Sequence, residues 1–390
     1  MKSILAVLLF SLLWSAGMQA QTSSRYAPFM SADNNSELTI AYDDLDEFLN
    51  ASVYVVGRST REKAPRASGT TGTRLKNRVN RLTALEGNRF YFDILQSTDY
   101  TDILTAIHQS LAALPDEVPL SGFNRNEQLA YWLNLYNFTL FSELAKEGGY
   151  IDMRRLLDDD DDSLLNRKAV TVAGVPLSLN DIHFDILLQK YHGDPLVIYG
   201  LFQGVIGGPT LQDEAFKGET VWKQLERLAS DFINSNRGTY YDGRLSAYYQ
   251  RNLAFFDNDK QKLKDHVLDY LEDDVYQDIA ATAANDLELD IEDLNLADIG
   301  GGREYGAGLM KNNAALIDSA NVEQRAGSVT FATQNFLAEG LIRKSRLNVR
   351  FSADELEVLN GIRQQHEINA GRVKVTDLSK EEATKEKEQR

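Results

Sequence analysis

The stretch Glu127-Gln128-Leu129-Ala130-Tyr131-Trp132-Leu133-Asn134-Leu135-Tyr136-Asn137 holds the residue types best placed for recognition or chemistry in this chain. One carboxylate and two carboxamides stand among large apolar side chains. Asparagine is a weak interior helix residue unless its amide is held. An amide removed from water without partners costs roughly 1–3 kcal/mol. Asn134 and Asn137 therefore predict a buried polar network, one that serves as scaffold or as the wall of a ligand site. Glu127 could bind a ligand or act as a general base. It also stands three residues after Asn124, the spacing of a capping box, which gives it a structural task as well.

Other catalytic sets fail on spacing. His108, His183, His192, His266 and His366 form no H-x-x-x-H pair, so no metal centre is expected. No G-x-S-x-G elbow is present. The Asp158 to Asp162 run, tried as a calcium loop, places Ser163 and Ala169 where glycine and a bidentate glutamate are needed. It reads as a solvated acidic loop. Gly300 to Gly308 is rich in glycine but lacks the lysine of a phosphate loop, and no cofactor is expected.

These residues need elements to position them. Apolar periodicity predicts a helix over Ile103 to Leu114, ended by Pro115, and a long one from Asn124 to Lys146, with apolar stripes on adjacent faces. Val170 to Leu177 reads as a hairpin turning at Ala173-Gly174, and Ser178 with Asp181 caps the helix that follows. Further helices are predicted over Asp213 to Asn234, Gln261 to Ala284 and Ser352 to Gln365, with an edge strand in the acidic stretch Asp286 to Asp298. The expected fold is α+β, predominantly helical, with a small antiparallel sheet that includes the hairpin near 170–177.

The N-terminus Met1-Lys2, an apolar run from Ile4 to Trp14 and small residues to Ala20 form the pattern of a secretory signal peptide. An exported protein, periplasmic or secreted, is expected. Residues 21–75 read as a lead-in, 76–257 as the core domain, 258–376 as an extension and 377–390 as a disordered charged tail. With no cysteine, stability must come from an ordinary core, which 390 residues at 43% hydrophobic can supply. A formal charge of −17 argues against nucleic acid or an anionic membrane surface as the partner. No later apolar run is long enough for stable membrane insertion.

The order of the pieces resembles the Domain of Unknown Function 547 family. The similarity rests on Ala130 to Asn137, on Val172 to Ile182, and on Asp194-Pro195 leading to Gly208-Pro209-Thr210-Leu211, with weaker likeness to Asp257. The family pattern places Asp-Ile-Glu-His after the hairpin and two cysteines five positions apart, which the resemblance implies form a thiol site. Here His183 stands at the glutamate position, Phe184 at the histidine position, and Gln203 and Gly208 replace the cysteines.

The leading expectation is an exported, catalytically degenerate binding protein of the cell envelope. Asn134, Asn137, Gln203 and Glu127 would line a cleft for a small polar or peptide-like ligand. An alternative is an envelope hydrolase or transferase using Glu127 and His183 in place of a thiol. Another is a structural or assembly protein with an acidic surface.

Overall fold

The computed structural model describes residues 25–64, 80–147, 151–158, 162–272, 275–299, 349–352, 354–356 and 358. The expected leader, the glycine-rich segment, the charged tail and the middle of the acidic run lie outside them. The chain divides into two compact units, Met1–Arg350 and Phe351–Arg390. In the second, Ser352 and Glu355 make the expected reciprocal cap, at 2.7 and 3.3 Å. Most of the helix predicted beyond it lies outside the described residues.

The first unit runs α1 (Asp43–Ser52), β1 (Val53–Tyr54), β2 (Arg89–Phe90), α2 (Thr98–Glu117), α3 (Arg125–Lys146), α4 (Met153–Leu156), β3 (Val170–Val172), β4 (Val175–Leu177) and α5 (Leu188–Lys190). It continues through α6 (Val221–Ile233), β5 (Thr239–Tyr240), β6 (Arg244–Ser246), α7 (Tyr248–Arg251), α8 (Lys260–Tyr270), α9 (Val275–Ala281) and β7 (Glu288–Ile291). The fold is α+β and predominantly helical. Strands pair as β1-β2, β3-β4 and β5-β6-β7, with β7 an edge strand running parallel to β6. Residues 288–291 thus pair with the strand at 244–246, within the same unit.

Helix α3 is the axis. Every residue from Glu127 to Phe141 is buried. A helix enclosed on all sides is the signature of a central element, so the two apolar stripes read from the sequence understate its burial. Phe90 stacks on Phe141 at 4.4 Å, Phe48 meets Phe138 at 5.5 Å, and Phe29 meets Trp132 edge-on at 5.1 Å.

Three predicted helix ends are corrected. Helix α2 continues past Pro115 to Glu117. Proline cannot donate to the carbonyl four residues back, and Leu111 O instead accepts the Tyr131 hydroxyl at 3.1 Å. Helix α6 begins at Val221 rather than Asp213, because the N–H groups of residues 215–217 go to the side chains of Asp46, Asn134 and Gln224, the last from α6 itself. The helix predicted from Gln261 is split in two, since the Asn234 amide donates to Tyr270 O and accepts Glu272 N–H, both at 2.8 Å, and so ends α8.

The hairpin is as expected, with Val172 facing Val175 and both turn residues, Ala173 and Gly174, at positive φ of 46° and 75°. After it, Ser178 Oγ accepts Asp181 N–H and Asp181 accepts Ser178 N–H, at 3.1 and 2.7 Å. The turns that follow, Asp181–Leu187, are π-helical.

Candidate functional site

The start of α3 forms the floor of a cleft. Asn124 Oδ1 accepts the N–H groups of Asn126 and Glu127, both at 3.0 Å, which closes the helix end as the sequence predicted. Glu127 as a whole is only 4% exposed, and its carboxylate accepts Ile40 N–H at 3.4 Å. Its other face lies against Gly218, where a β-carbon would fall 2.2 Å from Glu127 Oε1. Only glycine leaves the carboxylate its place.

Above this floor is a cleft of about 390 Å³, bounded by Glu37 and Thr39 on one side, Arg125 and Asn126 from α3, and Gly218-Glu219 ahead of α6. Its rim residues Glu37, Asn126 and Glu219 are exposed. Arg125 is engaged away from the floor, its guanidinium 4.4 Å over the Tyr191 ring and 3.6 Å from Asp194. Three carboxylates against one occupied guanidinium make the cleft acidic, so it favours a cationic group such as a primary amine.

Asn134 and Asn137 lie deeper along α3 and act as backbone clamps. Asn134 donates to Phe216 O and accepts Phe216 N–H, both at 2.9 Å. Asn137 donates to Gly200 O at 3.0 Å and accepts Phe202 N–H at 3.1 Å. Each amide thus fixes a loop as a β-ladder partner would. Asn134 sets the loop that carries Gly218, and Asn137 sets the one that leads to Gln203.

Gln203 is half-buried and away from the Glu127 cleft. A β-carbon on Gly208 would lie 3.8 Å from Gln203 Cβ, within the separation of about 3.5–4.5 Å that disulfides require. The two positions occupied by cysteines in the family pattern therefore face each other closely enough to be crosslinked. The loop between them is pinned by the chain near 295, with Ile206 N–H to Asn295 O at 2.9 Å, Gly207 N–H to Asp293 O at 2.9 Å and Ala297 N–H to Gly204 O at 2.8 Å.

His183 occupies the π-helical turn and is 1% exposed, its ring stacked on Phe184 at 4.0 Å. Burial and then the charge of Arg251 pull its pKa down to about 3, so the imidazole is neutral. Its ring lies 6.3 Å from that of Tyr136, nine residues along α3 from Glu127. Nine residues of α-helix span about 13 Å. The structure does not bring Glu127 and His183 together as an acid–base pair. No group of three metal-ligating side chains occurs among the described residues.

Sequence reasoning missed a buried ionic cluster beneath the Gly208 loop. Arg237, 1% exposed, donates to Gly208 O at 2.9 Å and to Asp231 at 2.8 Å, while Glu86 accepts the N–H groups of Asn236 and Arg237 at 3.0 and 3.2 Å. Burial lowers the nearby Arg89 pKa to about 10 and raises that of Asp293. These partners are separated by up to 209 positions between Arg89 and Asp298, and no local pattern marks them.

Residues 120–233 match the family model described as "Protein of unknown function, DUF547". The match covers Ala130 to Asn137, Val172 to Ile182 and Asp194 to Leu211, the segments on which the resemblance rested, and ends before the weaker likeness near Asp257. No curated protein and no solved structure matches the chain.

Proposed function

We propose that this protein, whose matched domain carries no assigned activity, is an exported binding protein of the cell envelope. Its ligand is a small polar, peptide-like molecule with a free amino group, held in the cleft over Glu127. The observation that carries this reading is the fit of Glu127 against Gly218, which fixes a nearly buried carboxylate on the floor of an acidic cleft. A volume of about 390 Å³ lies in the range of small-ligand sites. In this reading Asn134 acts from behind the cleft, holding the loop that carries Gly218, and Gln203 takes no part in it.

Binding without turnover is favoured because Glu127 and His183 are far apart and the His183 ring is enclosed. Export rests on the leader pattern, and a mature chain beginning at Gln21 is its direct check.

Titration calorimetry with trialanine and with N-acetyl-trialanine tests the ligand class. Acetylation and Glu127→Gln should each weaken binding at least tenfold. Equal affinity for the two peptides would overturn the amine assignment. Mass spectrometry of a cell-envelope extract incubated with native or heat-inactivated protein tests the rest. Retention of a compound without conversion supports binding, whereas conversion by native protein alone refutes it.

A further inference from the structure

We infer that Arg350 is a positioning residue for the cleft, tying the far end of the first unit to the segments that form both cleft walls. The guanidinium uses all three of its nitrogens. It pairs with both carboxylate oxygens of Asp44, at 3.2 and 2.9 Å, and donates from Nε to Ser110 Oγ at 2.7 Å and from Nη1 to Ala41 O at 3.2 Å. The backbone joins in, with Ala41 N–H donating to Arg350 O at 2.8 Å. Both charged side chains are buried, at 1% and 3% exposure. A buried ion pair with its hydrogen bonds satisfied is geometrically exacting, because loss of either partner leaves a charge out of water.

The link to the cleft is one residue long. Ile40 sends its N–H to Glu127 on the cleft floor, and Ala41 sends its own to Arg350. The wall that carries Glu37 and Thr39 therefore leads directly into two anchored residues, one tied to the cleft carboxylate and the next to Arg350. The opposite wall is tied to the same place. Asp46, two residues after Asp44 on α1, accepts Ala215 N–H at 2.7 Å and pairs with Lys217 at 2.8 Å. Ala215 and Lys217 flank Phe216, the residue clamped by Asn134, and lead to Gly218. The first turn of α1 thus connects Arg350 to both sides of the cleft, although Arg350 itself does not line it.

The consequence for binding rests on the cleft reading above, and the effect on the wall does not. In the full-length protein, Arg350→Ala should raise hydrogen exchange at amides 38–41 at least tenfold while the amides of α3 from Leu133 to Phe141 keep their protection. Trialanine affinity should fall by a similar factor. Guanidinium at low millimolar concentration should restore both, since the vacated socket of Asp44, Ser110 and Ala41 O fits that ion. A protein destabilised for another reason would show no recovery, because guanidinium at that concentration barely alters global stability. If Arg350→Ala does not fold, Arg350→Lys, which keeps the charge but not the fork, should show a smaller rise at 38–41 with α3 unchanged. Unchanged exchange at 38–41, or a rise shared by α3 and not rescued, would overturn the inference. If the unaltered protein binds no trialanine, the cleft reading fails while the exchange result still decides the role of Arg350.

Discussion

Replacing both Gln203 and Gly208 by cysteine tests the geometry of the loop held against residues 293–297. The two β-carbons would stand 3.8 Å apart. The nearest neighbours of the new β-carbon, Gln203 Oε1 at 3.5 Å and Val205 Cγ2 at 3.6 Å, are at ordinary contact distance. Closing the six-residue loop from 203 to 208 removes about 7 cal/mol/K of unfolded-state entropy, or about 2 kcal/mol at 25 °C. The native loop gives up little freedom in return, because residues 204–207 are already hydrogen-bonded to 293–297. With no other cysteine in the chain, thiol labelling followed by mass measurement reads the crosslink without background. Urea unfolding of the oxidised and reduced forms should differ by about 2 kcal/mol in favour of the oxidised one. Two free thiols after oxidation would refute the proximity of the positions, and a less stable oxidised form would refute the claim that the loop already has the crosslinked shape.

Three further outcomes are expected. Burial first, with lesser charge effects, lowers the pKa values of His108 and His183 to about 4 and about 3, and burial alone lowers that of His266 to about 4. The unfolded imidazoles, near 6.5, therefore take up protons first, so the stability these residues contribute is present above about pH 6.5 and lost as pH falls toward 4. The limiting slope is about 1.4 kcal/mol per pH unit for each histidine, and His183→Phe should flatten the acid limb of a urea stability profile by that amount; an unchanged slope would contradict the neutral, enclosed imidazole. Asn134→Leu strips both partners from the buried Phe216 backbone and should lower unfolding free energy by about 2–5 kcal/mol, so a loss below 1 kcal/mol in urea melts would dismiss the clamp. Gly218→Ala forces a β-carbon to within 2.2 Å of Glu127 Oε1; circular dichroism should be unchanged while calorimetry shows at least a tenfold loss of trialanine affinity, and retained affinity would mean that the floor carboxylate does not hold the ligand.

Much of the local architecture was legible because it is written in short range. The Asn124 cap, the hairpin turn at Ala173-Gly174 and the reciprocal Ser178–Asp181 bonds each involve partners within three residues. The prediction that Asn134 and Asn137 must be held was also sound in kind, since desolvation of an amide is a property of the residue and its apolar neighbours. What those amides hold was not legible, because Phe216 and Gly200 lie 82 and 63 positions away. The same limit explains the helix boundaries. Pro115 stops a helix when its freed carbonyl goes unpaired, and here Tyr131 from another helix supplies the donor.

By itself, the sequence determined that α3 would be a long helix with polar groups needing partners, that a hairpin and a capped helix would follow, and that helix would dominate. These follow from periodicity, turn chemistry and the cost of burying amides, all of which act over a few residues. Only the tertiary structure decided that Glu127 becomes the floor of a cleft while His183 is sealed among aromatic rings. It alone set Gln203 opposite Gly208 and seated Arg350 on Asp44. Those outcomes depend on which distant segment packs against each side chain, and burial, more than residue type, sets whether a carboxylate faces ligand or an imidazole can take a proton.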